Sequence, residues 1–411
     1  MRIISAFVAV TLGLLACASQ DLQSPLPNPL PRGEGASNPL PNPLPKGEGT
    51  QNPLPSLLPE DGETPNPLPS PFPEGEQAPN PLPEDQALVS PAPPLPNTPA
   101  LPCPLFPPDN IWNTPIDTLP RHALSDEYVA AIGGDTEFHA DFGSGIWPPE
   151  DGGPIGIPYV VVPADQPGVA VSFYYDDQSD PGLYPVPPDP PIEGGPESDG
   201  DRHILIVQEG TCRLYELYDA WPRDDGGWDA GSGAIYDLRS HALRPAGWTS
   251  ADAAGLPILP GLVRYDEVAA GEITHALRFT APDTQQAFVW PARHFASDLT
   301  EPHYPPMGQR FRLRADFDLS GFAPQVQVIL RAMQRYGIIL ADNGSPWYVS
   351  GAPDERWDNY VLRQLHQLTG ADFEAVDVSS LMLDPDSGQA AVAVRDETAF
   401  LPAIVARVMV R

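Results

Sequence analysis

The stretch DRHILIVQEGTCRLYELY (201–218) holds two short runs of strand-forming residues. The first, 203–207, is apolar and rich in Ile and Val. The second, RLYELY (213–218), alternates polar and apolar positions, as a half-buried antiparallel strand does. Similar runs recur at 157–162, 170–175, 234–238, 275–280, 287–291, 311–317, 337–342, 347–350 and 390–394, bounded by Gly, Pro or Asp. Helical patterns are fewer. Residues 324–336 begin with proline, place Val326, Ile329, Leu330 and Met333 on one face and stop at Gly337. Residues 355–368 align Trp357, Val361, Leu365 and Leu368 before Gly370, and 126–132 suggests a short third helix. The pattern predicts a mainly β domain, an antiparallel sandwich or jelly-roll-like fold with two or three surface helices and long loops such as 176–201.

This domain is expected to span 103–411, which contains all eight tryptophans. The preceding 18–102 carries 25 prolines and repeats Asn-Pro-Leu-Pro six times, from Asn28, Asn38, Asn42, Asn52, Asn66 and Asn80. Proline fixes φ and removes a donor, so 17–102 is expected to be a disordered, extended tether. It reads either as a stalk or as tolerated repetitive sequence. At the N-terminus, Arg2 precedes an apolar run, 3–16, that is short for a membrane span of roughly 20 residues. Its end, Leu14-Leu15-Ala16-Cys17, resembles the lipobox of bacterial lipoproteins. That resemblance implies a signal peptide over 1–16, lipidation of Cys17 and an extracytoplasmic protein anchored in the cell envelope. Ala18, in place of Asp, favours the outer membrane. Cys103 and Cys212 then remain, and in an oxidising compartment they predict a disulfide, with two free thiols as the alternative.

The chain has 22 basic and 55 acidic residues, a net charge of −33. Its single lysine is Lys46, outside the domain, so a P-loop lysine, a Schiff-base lysine and a Ser–Lys dyad are excluded there. Such charge also disfavours nucleic acid and anionic lipid surfaces as partners.

The runs FPPDNIWNTPID (106–117), DRH (201–203), GSGAIYDLRSHALRPAGWTSADAAGLPILPGLVRYDEV (231–268), WPARH (290–294) and RYGIILADNGSPWY (335–348) together resemble a family of secreted bacterial proteins. The likeness covers nearly all of 103–380. The family has no settled activity, so the resemblance implies domain extent rather than a reaction. Nucleotide binding, assigned to some members, has no support here, because G-x-x-x-x-G-K-[ST] is absent.

Polar residues concentrate in 239–267, around the constrained loop AAGLPILPGL (253–262). Glycoside hydrolysis needs two carboxyl groups, and Asp252, Asp266 and Glu267 are the candidates. Read as a strand, Asp266 and Glu267 point to opposite faces, so one of them would pair with Asp252 or Asp201. A salt bridge between Arg264 and Asp266 that merely holds the loop is the alternative. His203, at a strand start, could act as acid or base, or be a loop histidine held by Asp201. Arg264, Trp248, Trp290, Arg293 and His294 would bind substrate, since aromatic faces beside guanidinium groups suit sugars that carry carboxylates. Asp342 would line a cleft with Trp347, although Asn343-Gly344 is also a hairpin signal. No zinc-ligand motif and no G-x-S-x-G occurs, and neither a metal nor a cofactor is expected. The expected function is a lipid-anchored, carbohydrate-active protein, a polysaccharide hydrolase or lyase, with membrane lipid and a glycan as partners but no nucleic acid or nucleotide. The alternative is a non-catalytic glycan-binding or envelope-interaction lipoprotein.

Overall fold

The computed structural model describes residues 100–147 and 152–391. The signal segment 1–16, Cys17, almost all of the 17–102 tether and most of the expected strand 390–394 lie outside them. Within the described residues the fold is mainly β, with few helices, and none of these is long and apolar enough to cross a membrane.

The two opening runs become the centre of a four-stranded sheet ordered Ser232–Asp237, Arg213–Tyr218, Ile204–Gln208 and Tyr159–Val162. Ile204 pairs with Leu217 and Val207 with Leu214 in antiparallel register, whereas Tyr159 pairs with Leu205 in parallel. Both faces of this sheet are covered. Ile204, Ile206, Tyr215 and Leu217 pack against Val171, Phe173 and Trp228 of a second four-stranded sheet. That sheet is ordered Leu183–Tyr184, Val169–Phe173, Trp228–Ala230 and Trp221–Pro222. Leu205, Val207, Leu214 and Ala234 face the larger core instead. The alternation in RLYELY therefore does not mark a solvated face. Leu214, Tyr215, Glu216 and Leu217 are all buried, and the inward carboxylate of Glu216 is satisfied by the N–H groups of Ile258 and Leu259 (2.9 Å each).

The larger core is shared with a mixed six-stranded sheet, ordered His139–Asp141, Tyr348–Ser350, Leu277–Ala281, Ile338–Asn343, Arg310–Leu313 and Phe373–Val376. Ile338–Asn343 and Tyr348–Ser350 flank Leu277–Ala281 on opposite sides, so Asn343-Gly344 does not close a two-residue hairpin between them. The helix Pro324–Arg335 buries Val326, Ile329, Leu330 and Met333, the face read from the sequence. The helix expected over 355–368 is shorter. Asp358 caps it by accepting the N–H groups of Tyr360 and Val361, giving Asn359–Leu362 followed by a 3-10 turn, Arg363–Gln367. The run 287–291 forms no strand, only a single bridge between Phe288 and Met307. Residues expected to lie extended at 264–267 instead open a helix, Tyr265–Ala270, closed by left-handed Gly271 (φ 92°). Cys103 and Cys212 form a disulfide, Cα–Cα 5.8 Å, across 109 residues of sequence.

Candidate active site

Strand ends supply the acids of one cleft of about 380 Å3, lined by Tyr175, Asp201, Tyr218, Thr249, His294 and Asp342. Asp201 lies just before the strand Ile204–Gln208, and Tyr218 ends its neighbour. The carbonyl of Asp201 accepts the N–H of Asp219 (2.8 Å), which fixes the two chain segments together. Asp342 is near the end of Ile338–Asn343, where its Oδ1 accepts the N–H of Asn343 (2.7 Å).

Behind the cleft, Arg278 on Leu277–Ala281 grips Asp252 in a bidentate pair (Nε–Oδ2 3.0 Å, Nη2–Oδ1 2.8 Å). Asp252 is 0% exposed, and a buried carboxylate needs such a partner. Arg278 also donates to Ser350 and lies 3.8 Å from Asp342. Burial, then repulsion from Asp252 and Asp201, push the Asp342 carboxyl well above the usual carboxylate range against the pull of Arg278. Partial desolvation and repulsion from Glu193 and Asp201 raise Asp141 to about 6 in the same way.

His203 is buried, with both ring nitrogens engaged. Nδ1–H donates to Glu193, and Nε2–H donates to the carbonyl of Ala251 (2.9 Å). Burial opposes charge on this ring, but Glu193 and Asp201 outweigh it and lift the pKa to about 10. His203 is thus an imidazolium that braces the acidic loop, with no lone pair to accept a proton. Glu193, Asp201 and His203 place one ligand atom each within 4.8 Å of one another, the one group of this kind among the described residues. A cation could enter there only by displacing the His203 proton. His294 differs from His203. Its Nδ1–H donates to the carbonyl of Ala253 (2.8 Å), and burial lowers its pKa, so a neutral ring lines the cleft with Nε2 as an acceptor.

The structure brings Asp342 and His294 to the cleft, with Asp252 and His203 behind it, and seats the other candidates elsewhere. Asp266 and Glu267 border a separate, larger cavity of about 870 Å3 with Arg264, Tyr159 and His275. Asp266 pairs with Arg356 (2.8 Å). Glu267 accepts from Arg264 (2.6 Å) and lies 3.1 Å from Nε2 of His275. Burial disfavours its charge, yet His275 and Arg264 hold its pKa down at about 2, so it is a permanent anion. Neither acid reaches Asp252, whose carboxylate is already filled by Arg278. Trp347 is 0% exposed and donates to the carbonyl of Gly133 (2.8 Å), so it lines no cleft with Asp342. Trp290 donates to the carbonyl of Ser387 (2.9 Å) beside a different depression. Trp248 rests near the Arg244 guanidinium, 5.6 Å from ring centroid to carbon.

The arginines expected to hold substrate are spent on the protein. Arg293 donates to the carbonyls of Arg244 and Pro385 (2.6 Å each) and to Asp386 (2.5 Å). Arg264 donates to the carbonyls of Leu259 and Leu262 as well as to Glu267. Sequence reading missed Tyr175, Tyr218, Glu193 and Asp141. Tyr218, the last residue of RLYELY, carried the most signal. Comparison with protein-family models, with curated proteins and with solved structures finds no match.

Proposed function

We propose that the Asp201–Asp342 cleft hydrolyses glycosidic bonds in an uncharged or cationic glycan. The observation that carries this reading is a pair of carboxyl groups in one tyrosine-lined cleft, one of them, Asp342, with its pKa pushed up by burial and by the neighbouring carboxylates. Glycoside hydrolysis needs this division of labour between an acid and a base or nucleophile. Asp342 donates its proton to the glycosidic oxygen as the bond from the anomeric carbon breaks. Asp201 takes a proton from the water whose hydroxyl adds to that carbon. Tyr175 and Tyr218 offer ring faces to the sugar, and the neutral His294 accepts from a sugar hydroxyl.

The charge of the cleft supports the substrate class. Asp141, Glu193, Asp201 and Asp342 crowd together, while Arg278 and His203 are committed to acidic partners. A uronate would find no guanidinium among the described residues that line the cleft, which also speaks against a lyase acting on acidic polysaccharides. The lipobox-like segment ending at Cys17 supports an extracytoplasmic, lipid-anchored enzyme whose glycan lies outside the cytoplasm.

The test is product release from a panel of neutral and amino-sugar polysaccharides by the wild type, Asp342→Asn and Asp201→Asn. Turnover lost in both variants, with unchanged thermal melts, supports the reading; turnover that survives in both removes it. A non-catalytic glycan receptor is the second reading, favoured by exposed Tyr174 and Tyr175 at the cleft's edge. It would give binding without product.

A further inference from the structure

Trp221 lies in the short strand Trp221–Pro222 and is 43% exposed. Its exposure is not that of a loosely held ring. The Arg202 guanidinium carbon lies 3.6 Å from the ring centroid and covers one face, and Nε1–H donates to Asp219 Oδ1 (2.7 Å). Arg202 is itself fixed and buried, donating to the carbonyls of Ala220 (3.0 Å), Pro196 and Ser198 (2.8 Å each). With one face and one edge held, the indole presents its other face to solvent.

Of the two residues that hold the indole, Arg202 has a backbone conformation that its residue type adopts rarely. Arg202 (φ 50°) and Asp219 (φ 51°), the two residues that hold the indole, both adopt the left-handed conformation. Side chains other than glycine, asparagine and aspartate visit it rarely, and such strain collects at binding and catalytic sites. Here it orders an apolar ring that stays 43% exposed at the surface. Ordering a ring before the ligand arrives lowers the entropy cost of binding.

The chain segment that carries the ring adjoins the cleft. Asp219 follows the cleft residue Tyr218, and its N–H is bonded to the carbonyl of the cleft residue Asp201. Two residues, Asp219 and Ala220, lie between Tyr218 and Trp221, a reach of at most about 11 Å along the chain. We propose that Trp221 is a stacking platform for a sugar ring of the substrate a few units from the bond that is cut. The substrate is then a polysaccharide that runs out of the cleft across Trp221, not a short oligosaccharide. This rests on the glycan-hydrolase reading, but its binding test does not need turnover.

The experiment is native electrophoresis of the full chain in gels containing hydroxyethyl cellulose, laminarin, arabinoxylan or galactomannan, with KM measured on any polymer that is cut and on its trisaccharide. Wild type should be retarded in at least one gel. Trp221→Ala should bind that polymer about tenfold more weakly, the loss of one aromatic stack. It should raise KM for the polymer more than for the trisaccharide, and Trp221→Phe should restore part of the retardation. Retardation of Trp221→Ala equal to wild type, in protein with an unchanged melt, overturns the platform, as does a wild type retarded in none of the four gels. Retardation that depends on Trp221 without any hydrolysis supports the platform while removing the catalytic reading.

Discussion

Asp342 and His203 show how much a side chain's neighbours decide. Both are polar residues beside apolar strands in the sequence. In the structure both are pushed towards their protonated forms, Asp342 by burial and neighbouring carboxylates and His203 by Glu193 and Asp201. If Asp342 donates the proton, the rate is full while its carboxyl is protonated and falls as pH rises through its raised pKa. Asp342→Asn should lower kcat by about 10²–10⁴, the usual share of general acid catalysis, and the residual rate should lose that high-pH limb. A pH–rate profile of the two proteins checks this, and an unchanged limb in the variant assigns the acid to another group. His203 was legible as a functional candidate but not as a locked cation. Its partner Glu193 sits ten residues earlier in a Pro- and Gly-rich loop, and nothing in local spacing says that the loop folds back. Asp201 and Asp342 were both named from the sequence, yet not as a pair.

At the scale of elements, the sheet signals were the most legible and the acidic tetrad 264–267 the least. RLYELY forms Arg213–Tyr218 as read, because its β-branched and aromatic neighbours fit a pleated surface wherever that surface is buried. What alternation could not reveal is that both faces are covered, since the covering sheet comes from elsewhere in the chain. Tyr265–Ala270 carried a readable helix signal that a strand reading overlooked: two acids in the first turn, then Val268, two alanines and Gly271. The helix turns Glu267 towards Arg264 and His275. Its carboxyl pKa, about 2 when folded, is depressed from the ordinary 4.5, so its contribution to stability is present above pH 4.5 and disappears as pH falls towards 2. The shift corresponds to about 3 kcal/mol. Glu267→Gln should therefore lower stability by about that amount at pH 6 and by little at pH 2.5. Urea titrations at the two pH values measure it, and equal losses at both would mean that the ion pair with Arg264 and His275 is not the source.

At the scale of the whole molecule, the cleft draws Tyr175, Asp201, Tyr218, Thr249, His294 and Asp342 from distant stretches of sequence. The order and register of the sheets create that grouping. Each strand could be read alone, but which strand ends would meet depends on packing between sheets that no local pattern encodes. The arginines illustrate the same point: a guanidinium looks available in sequence until carbonyls from remote loops, such as Pro385 to Arg293, fill it. The disulfide is the exception, because cysteine count and the expected oxidising compartment predicted a long-range contact that the structure contains. It ties the start of the described chain to the turn before Arg213–Tyr218, the strand that carries Glu216 and ends at the cleft residue Tyr218. Closing 109 residues removes freedom chiefly from the unfolded chain, worth about 4–5 kcal/mol in the chain-entropy model. Cys103→Ser with Cys212→Ser should therefore melt roughly 7 °C below wild type. Adding reductant should lower the wild-type melt towards the variant's and leave the variant's own melt where it was. A variant that melts with wild type would mean that packing around Phe106 and Leu238 already holds the chain's start in place. A variant that melts low with turnover retained would separate the bond's part in stability from any part in shaping the cleft.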